Sequence, residues 1–417
     1  MSEKVLARVS GRAAGEVAPG DVITAKVDLV MSHDNAALIG SIFRSIPVKG
    51  VFDSRRMVMT LDHRSPAPDI ETATKQQMVR AFVKEQGIKD FYDMKEGICH
   101  QVLPEKGHIL PGMHIVGTDS HSCTYGALGA FGYGVGATEM AAVWAAGELR
   151  LRAPETMRIR IDGTLPPGVY AKDVTLDVVR DVTADGANYM AVEYEGSWID
   201  RSSIPERQTL CNMGIEMGAK VAMVPPDATT LRYLAERNKT ELPHSVASDE
   251  GARFAERRKF DISKLEPKIS CPHSVDNVHP VTSVVGKTIH QAFLGSCTNG
   301  RVEDMREAAA ILRGRQVHPD VRLIVTPASR TQMLGAMDDG TLRALSEAGA
   351  IVGTPGCGPC MGAAGGILAP GERCISSSNR NFKGRMGSSA AEVYLASPAT
   401  VAASALEGVI ADPRKYV

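Results

Sequence analysis

Two cysteine-bearing segments lie in the last third of the chain, and each begins where a strand-like stretch ends. Cys297 lies in Leu-Gly-Ser-Cys-Thr-Asn-Gly-Arg, whereas Cys357 and Cys360 lie in Pro-Gly-Cys-Gly-Pro-Cys-Met-Gly. Between residues 289 and 360, strand-like patterns alternate with loops and helical patterns. Alternation of this kind predicts parallel α/β layers, in which sites form where strands end and loops begin. The sequence therefore predicts an α/β fold with a site at these cysteines.

The three cysteines are surrounded by small, glycine-rich neighbours. Three thiolates in such surroundings can hold an iron–sulfur cube and leave one iron without a protein ligand. An iron with an open position acts as a Lewis acid toward a substrate oxygen. This arrangement favours hydroxyl chemistry over electron transfer.

The Cys-Gly-Pro-Cys pattern has other interpretations, of which a redox dithiol is the main one. A redox dithiol would follow an early strand of a small domain and begin a long helix. Here Met-Gly-Ala-Ala-Gly-Gly follows the motif, and Cys297 has no role in a dithiol. Zinc binding and purely structural thiols stay open as further alternatives, while the other five cysteines are interpreted as small buried apolar groups.

Length and composition limit the class of protein. A chain of 417 residues exceeds the size of a single core and predicts two or three domains. The formal net charge of −1 favours neither nucleic acid nor an acidic membrane surface. The N-terminal segment does not resemble a signal peptide, and no apolar run is long enough to span a membrane. Because unevenly spaced cysteines suit a reducing compartment, we expect a cytoplasmic protein with no membrane or nucleic-acid partner.

Changes of pattern along the chain predict three domains. A strand followed by a turn and a helix begins near residue 157. Residues 236–283 are polar, dotted with prolines and include the charged stretch Glu-Arg-Arg-Lys-Phe-Asp, so they are interpreted as the edge of a second domain. We therefore expect α/β domains over residues 1–155, 156–283 and 284–417. Within the first domain, residues 21–30 alternate like one strand and residues 71–87 have helical spacing. The glycines of residues 126–136 are interpreted as a tight loop that supports the preceding segment.

Acidic and imidazole side chains recur together in the first domain. Asp119 and His121 are two residues apart, so in an extended segment both point to the same face. Such a pair can act as acid and base or hold a substrate, although a solvated turn is the simpler interpretation of this motif alone. Leu-Asp-His at 61–63 and Cys-His-Gln at 99–101 are weaker signals when each is considered alone.

A loop rich in amides and cations follows the last cysteine motif. It reads Ser-Ser-Ser-Asn-Arg-Asn-Phe-Lys-Gly-Arg at 376–385, with Arg380 and Arg385 at its two arginine positions. The planar fork of an arginine suits carboxylate binding. One aromatic and three cations are too few to favour nucleic acid.

Taken together and in this order, the motifs resemble the aconitase superfamily along essentially the whole chain. Within it, the Gly-Arg-Val-Glu-Asp continuation after Cys297 is most similar to the large-subunit branch that acts on isopropylmalate and homoaconitate. The resemblance implies three α/β/α domains that surround a 4Fe–4S cluster bound by Cys297, Cys357 and Cys360. Because the chain ends at Val417, we expect the fourth, swivelling domain and its catalytic serine to be supplied by a separate small subunit. This chain is then expected to be inactive alone.

The resemblance also implies roles for single residues. Asp62 and His63 match the pair that protonates the departing hydroxyl. His100 matches an active-site histidine partnered by Asp119, and His121 matches another that is partnered by Glu216. Substrate-binding positions are implied for Ser120, Asn212, Asn379, Arg380, Arg385 and for His33, which replaces a glutamine of aconitases.

The implied activity is that of a hydro-lyase. It would interconvert 2-isopropylmalate and 3-isopropylmalate, small hydroxy-dicarboxylic acids of leucine biosynthesis, through dehydration and rehydration. Homoaconitase, dimethylmalate dehydratase and methylmalate dehydratase are alternatives of the same class. An iron-responsive RNA-binding protein and an electron carrier are alternatives of other classes. Both are disfavoured, by the neutral charge and by the intact acid–base set respectively.

Overall fold

Three sheets with helices packed against them make up most of the structure, a computed structural model that describes residues 1–237, 239 and 246–417. Two of these sheets are entirely parallel, and the third combines parallel and antiparallel pairs. The predicted α/β class is therefore confirmed. Along the described residues, no helix is both long enough and apolar enough to cross a membrane.

The first sheet and its helices come from the N-terminal third of the chain. Its helices are α1 Ser2–Ser10, α2 Ala36–Phe43, α3 Ile70–Gln86, α4 Cys99–Glu105 and α5 Ala137–Ala146. The strands of this part of the chain are β1 Val22–Lys26, β2 Leu29–Ser32, β3 Met57–Thr60, β4 Asp90–Tyr92, β5 His114–Gly117, β6 Phe131–Gly134 and β7 Glu148–Arg152. The five-stranded sheet has the order β4-β3-β2-β5-β6, while β1 and β7 form a separate antiparallel ribbon.

Two predictions for this region need correction, and one is confirmed. Residues 21–30 form two strands rather than one, because the chain leaves the β1 ribbon at Val27 and Asp28 to enter the five-stranded sheet at β2. The glycine-rich stretch at 126–136 is partly a strand, β6, rather than a loop. It still supports the preceding segment, since a Cβ on Gly134 would lie 2.6 Å from the carbonyl oxygen of Asp119. The helix predicted over 71–87 is α3.

The second sheet is formed by four parallel strands in the middle of the chain. These strands are β8 Thr156–Asp162, β9 Ala191–Glu195, β10 Val221–Met223 and β11 Glu256–Asp261, in the order β10-β9-β8-β11. The helices are α6 Ala171–Val182, α7 Ser197–Arg201, α8 Ile204–Asn212 and α9 Ala228–Ala235. The charged stretch Glu-Arg-Arg-Lys-Phe-Asp, predicted as part of a polar domain edge, is the strand β11. Residues 238 and 240–245 of that predicted edge lie outside the described residues.

The third sheet has seven strands. They are β12 Lys268–Ser270, β13 Val278–Pro280, β14 Gln291–Leu294, β15 Arg322–Val325, β16 Ile351–Val352, β17 Arg373–Ser376 and β18 Glu392–Ala396, in the order β13-β12-β18-β17-β14-β15-β16. The helices are α10 Ser296–Asn299, α11 Val302–Leu312, α12 Arg330–Asp338, α13 Thr341–Glu347 and α14 Pro398–Glu407. Strands β12 and β13 join this sheet although they precede residue 284. The division into three domains stays a prediction.

Short 3-10 helices connect several of these elements. They cover Ser54–Arg56, Ser120–Leu128, Met213–Met217, Val281–Ser283, Gly358–Met361 and Pro413–Lys415. The central strands β2, β3, β5 and β14 are buried along their whole length. Burial on both faces is expected of parallel strands that are covered by helices. The polar side chains at the carboxyl ends of these strands are therefore held on a rigid base.

Candidate active site

The predicted acid–base residues follow neighbouring strands of the first sheet. His33 comes directly after β2, Asp62 and His63 follow β3, and Asp119 follows β5. Because β3, β2 and β5 are adjacent and parallel, their carboxyl ends meet at one edge of the sheet. The loops that carry these side chains therefore converge.

Asp62 and His63 form a buried ion pair. The Nδ1 atom of His63 lies 2.9 Å from Oδ1 of Asp62, and Nε2 lies 3.1 Å from Oδ2 of Asp119. Ionised carboxylates only accept hydrogen bonds, so this arrangement favours an imidazole that carries a hydrogen on both ring nitrogens. Burial acts to lower the pKa of His63, but the two carboxylates outweigh it and raise that pKa well above its ordinary value. This geometry provides a stored proton.

The carboxylate of Asp62 is held in its charged form. Burial acts to raise its pKa, but the His63 imidazolium and the peptide N–H of Cys99, which donates to Oδ2 at 2.6 Å, keep that pKa well below its ordinary value. The carboxylate of Asp34 accepts from the peptide nitrogens of Asp62 and His63 at 3.0 and 2.9 Å. Asp34 was not predicted from the sequence, although its position just after a buried strand is a usable signal.

Asp119 connects three histidines. Its Oδ1 accepts from Nε2 of His100 at 2.8 Å and from the peptide nitrogen of His121 at 2.7 Å, while its Oδ2 contacts His63. Burial acts to raise the pKa of Asp119, but these donors outweigh it and hold the pKa well below its ordinary value. The structure thus contains the His100–Asp119 contact that the resemblance implied, and it adds the contact to His63.

A second polar chain runs from His121 through Glu216 to Arg380. Nε2 of His121 lies 2.8 Å from Oε1 of Glu216, and Nε of Arg380 donates to the same oxygen at 2.7 Å. The terminal nitrogens of Arg380 make no hydrogen bond to the described residues. The structure therefore contains the expected His121–Glu216 contact, and it leaves one edge of the Arg380 fork for a ligand.

The thiol of Cys297 accepts hydrogen bonds from two buried amides. Nδ2 of Asn212 lies 3.1 Å from the sulfur and Nδ2 of Asn379 lies 3.4 Å from it. The Oδ1 atom of Asn379 also lies 3.5 Å from Sγ of Cys360. One amide side chain therefore spans the space between two of the predicted cysteine ligands.

Cys357 and Cys360 complete the set of sulfurs. All three thiols are free and buried. The neighbouring Cys357 thiol and, after it, the Arg385 guanidinium lower the pKa of Cys360 well below its ordinary value. The peptide nitrogen of Cys357 donates to the carbonyl oxygen of Asp62 at 3.0 Å, so this loop is attached to the acid–base residues.

This donor set fits an iron–sulfur cluster. Burial raises the pKa of Cys297 to about 12, so an uncompensated thiolate is disfavoured there. Amide donors to Cys297, and Nη2 of Arg385 at 3.6 Å from the sulfur of Cys360, favour the negative charge that a cluster ligand carries. A second group of potential metal ligands, from His33, Asp34, Asp62 and His63, has its ligand atoms within 4.8 Å of one another. Its carboxylates already have partners, because Asp34 accepts from the peptide nitrogens of Asp62 and His63, and Asp62 contacts the His63 ring.

His33 and Ser120 border the acid–base residues. The ring of His33 stacks on that of His63 with 4.2 Å between their centroids, and its Nε2 lies 3.2 Å from the carbonyl oxygen of Thr118. The Ser120 hydroxyl makes no hydrogen bond to the described residues. Both side chains are half-buried.

Lys172, which was not predicted from the sequence, hydrogen-bonds to the backbone of the loop that carries Arg380. Its fully buried ammonium donates to the carbonyl oxygens of Ser377 and Ser378 at 2.9 and 2.6 Å, and burial lowers its pKa to about 7. These two residues directly precede Asn379 and Arg380. A lysine in an amphipathic helix ordinarily faces solvent. The sequence around Lys172 therefore gives no indication that its side chain is buried against Ser377 and Ser378.

Comparison with known proteins agrees with this geometry. The model of the Aconitase family (aconitate hydratase) matches residues 18–290 and 280–408. The chain is 53% identical to the 3-isopropylmalate dehydratase large subunit 1 of Methanopyrus kandleri, over 100% of this chain and 99% of that protein. It is 50% identical to the probable methanogen homoaconitase large subunit of Methanothermobacter thermautotrophicus, over 100% and 97% of the two chains. It is 46% identical to the 3-isopropylmalate dehydratase large subunit of Aquifex aeolicus, over 100% and 97%. The chain therefore belongs to the aconitase family.

Proposed function

We propose that this chain is the large subunit of a hydro-lyase that interconverts 2-isopropylmalate and 3-isopropylmalate in leucine biosynthesis. The observation that carries the proposal is the placement of the His63 ring nitrogens between the carboxylates of Asp62 and Asp119, with the Cys357 loop hydrogen-bonded to the backbone of Asp62. Removal of water from a hydroxy acid needs a proton donor at the leaving oxygen and donors for the carboxylates. Relatives from Methanopyrus kandleri and Aquifex aeolicus that bear this name match along the whole chain.

We infer that Cys297, Cys357 and Cys360 hold a 4Fe–4S cluster with one iron free of protein ligands. When bound, it supplies a Lewis acid that polarises the hydroxyl and a carboxylate of the substrate. The amides of Asn212 and Asn379 stabilise the charge at Cys297. Thiols that must stay free for iron also need a reducing compartment, which supports a cytoplasmic location.

His63 delivers its proton from Nε2 to the departing hydroxyl in this proposal. The other ring nitrogen stays on Asp62, which keeps the imidazole oriented and stabilises its charged form. Asp119 holds His63 and His100 on its two oxygens, so a substrate that displaces the His63 contact leaves the His100 contact in place. In this proposal His63 is therefore protonated and oriented before the substrate binds.

Arg380 and Arg385 bind the substrate carboxylates. The contact of Arg380 Nε with Glu216 fixes the guanidinium plane, so that its terminal nitrogens can form a bidentate pair with a carboxylate. His33 and Ser120 line the same space and contact the remaining polar groups of the substrate.

A separate small subunit completes the site. The relatives that match this chain are named large subunits, and we propose that the partner supplies a serine that acts as the base at carbon. The partner would also contact the distal group of the substrate. Residues of both chains therefore determine the substrate specificity.

The test is reconstitution of both chains without oxygen, using ferrous iron and sulfide. With 2-isopropylmalate, the pair should produce an ultraviolet-absorbing unsaturated intermediate and then 3-isopropylmalate, while the large chain alone should give neither. Homocitrate, dimethylmalate, methylmalate and citrate should be compared at equal concentration. A higher kcat/KM with homocitrate would replace the proposal with the homoaconitase alternative, and turnover by the large chain alone would contradict the two-subunit mechanism.

A further inference from the structure

Arg301 is a fully buried arginine that holds the Cys297 segment by its backbone. Nη2 donates to the carbonyl oxygen of Cys297 at 2.7 Å, and Nη1 donates to that of Thr298 at 2.6 Å. Its side chain is 1% exposed. A guanidinium offers five donors in a fixed plane, and two neighbouring carbonyls use that fork directly.

The Cys297 segment needs this support. Cys297 lies in α10, a single helical turn whose last carbonyls have no partner within the helix. The turn begins at Ser296, which has a φ of 72° and so occupies the left-handed region that non-glycine residues rarely adopt. Arg301 supplies the missing donors, and its positive charge lies at the carboxyl end of the turn, where a cation is favoured.

The guanidinium of Arg301 also contacts one helix that packs with the first sheet and one that packs with the second. Nε donates to Oε1 of Gln101 in α4 at 3.0 Å, and Nη1 lies 3.3 Å from Oγ1 of Thr209 in α8. Gln101 is adjacent to His100, which binds Asp119. Arg301 thus connects the backbone of a cysteine ligand to the helix that carries an acid–base histidine.

Charge pairing does not account for this arrangement. The carboxylate of Asp304 lies 3.8 Å from Nη1, and its stronger contact is with the peptide nitrogen of Arg301 at 2.9 Å. Three guanidinium nitrogens are aimed instead at neutral oxygens from three separate segments of the chain. A fixed planar fork is required for this pattern, and an ammonium group could reach only part of it.

We propose that Arg301 is a positioning residue that sets Cys297 relative to His100 and thereby stabilises the bound cluster. The inference rests on the proposed cofactor, because the position of Cys297 acts here through the cluster that it would bind. Groups that orient metal ligands commonly change metal affinity or activity by about 10- to 100-fold when they are removed.

The experiment compares Arg301→Lys with Arg207→Lys in the full-length chain. Arg207 is also fully buried, but its main partner is Asp227, which precedes helix α9. Nη2 of Arg207 lies 2.6 Å from Oδ2 of Asp227. Both chains are loaded with ferrous iron and sulfide, and the release of iron to a ferrous chelator is followed. Arg301→Lys should release iron about tenfold faster than the wild type, while Arg207→Lys should release it at the wild-type rate.

A second readout needs no cofactor. In the chain before iron is added, Cys297 should react with iodoacetamide faster in Arg301→Lys than in Arg207→Lys, as measured on its peptide by mass spectrometry. Wild-type rates of both iron release and alkylation in Arg301→Lys would overturn the inference. If Arg301→Lys does not fold, Gln101→Met removes the Nε acceptor and should still release iron at least about threefold faster; an unchanged rate would then overturn it. A wild-type chain that binds no iron would instead refute the proposed cofactor.

Discussion

The carboxylate of Asp119 lies between His63 and His100, with Oδ2 at 3.1 Å from Nε2 of His63 and Oδ1 at 2.8 Å from Nε2 of His100. One acidic side chain therefore contacts two imidazoles, of which His63 lies in the loop after β3 and His100 lies in helix α4. Loss of its charge removes the support of both rings, although neither histidine is changed.

Asp119→Asn should lower kcat of the reconstituted pair by about 100- to 10,000-fold and change KM far less, because an amide cannot accept from both rings and stabilise an imidazolium. Steady-state kinetics with 2-isopropylmalate measures the effect. Asp339→Asn, which removes a carboxylate that pairs with Arg306 at the surface, is the matched control and should keep wild-type kinetics. Equal loss in both variants would contradict the role of Asp119.

Serine replacements should separate the three predicted cysteine ligands from the other buried cysteines. Cys297→Ser, Cys357→Ser and Cys360→Ser should each lose the brown colour and most of the bound iron. Cys211→Ser and Cys374→Ser should keep both, since neither thiol lies at the carboxyl-end loops that carry the site. Iron per chain after anaerobic reconstitution checks this. A normal iron content in Cys357→Ser would contradict the assignment.

Arg380→Lys should raise KM for the substrate by about 10- to 100-fold. A lysine ammonium cannot bind Glu216 and present a bidentate pair to a carboxylate at the same time. The same kinetic measurement checks the result. Arg343→Lys is the control, because Arg343 is exposed and its one ion pair among the described residues is with Glu347. Unchanged KM in Arg380→Lys would remove this arginine from substrate binding.

His114 should make the fold less stable as the pH falls. Burial lowers its pKa to about 4 from an ordinary value of 6.5, and its ring contacts the carbonyl oxygen of Lys26 and the hydroxyl of Tyr133. Between these pH values the unfolded chain binds a proton at His114 and the folded chain does not, so the free energy of unfolding decreases as the pH falls from 6.5 to 4. The full effect is at most ~3 kcal/mol. Thermal midpoints at pH 7.5 and 5.5 should differ less in His114→Gln than in the wild type; equal differences would contradict the assignment.

The α/β class, which is confirmed, and the placement of the candidate residues just after strands could both be predicted from the sequence, because both depend on local patterns. Strand-like stretches that end in glycine-rich loops carry their polar residues to the same edge in any parallel sheet. The contacts of His100 with Asp119 and of His121 with Glu216 came from the family resemblance. No spacing in this chain alone would have paired His121 with a glutamate 95 residues away.

The supporting residues were missed for the opposite reason. Lys172 binds the carbonyl of Ser377 across 205 residues of sequence, and Arg301 binds Gln101 across 200. Each contact depends on how the helices of one sheet pack against the loops of another. Local periodicity contains no information on that packing, so a buried cation there resembles an ordinary surface charge.

The peptide hydrogen bond from Cys357 to the carbonyl oxygen of Asp62 joins the backbone of one predicted cluster ligand to the backbone of the residue that contacts His63. A modification that displaces Cys357 also moves the backbone of the residue that orients His63. We expect an oxidised molecule to lose proton transfer together with iron binding. Such a molecule should be inactive until it is repaired and should not release the unsaturated intermediate.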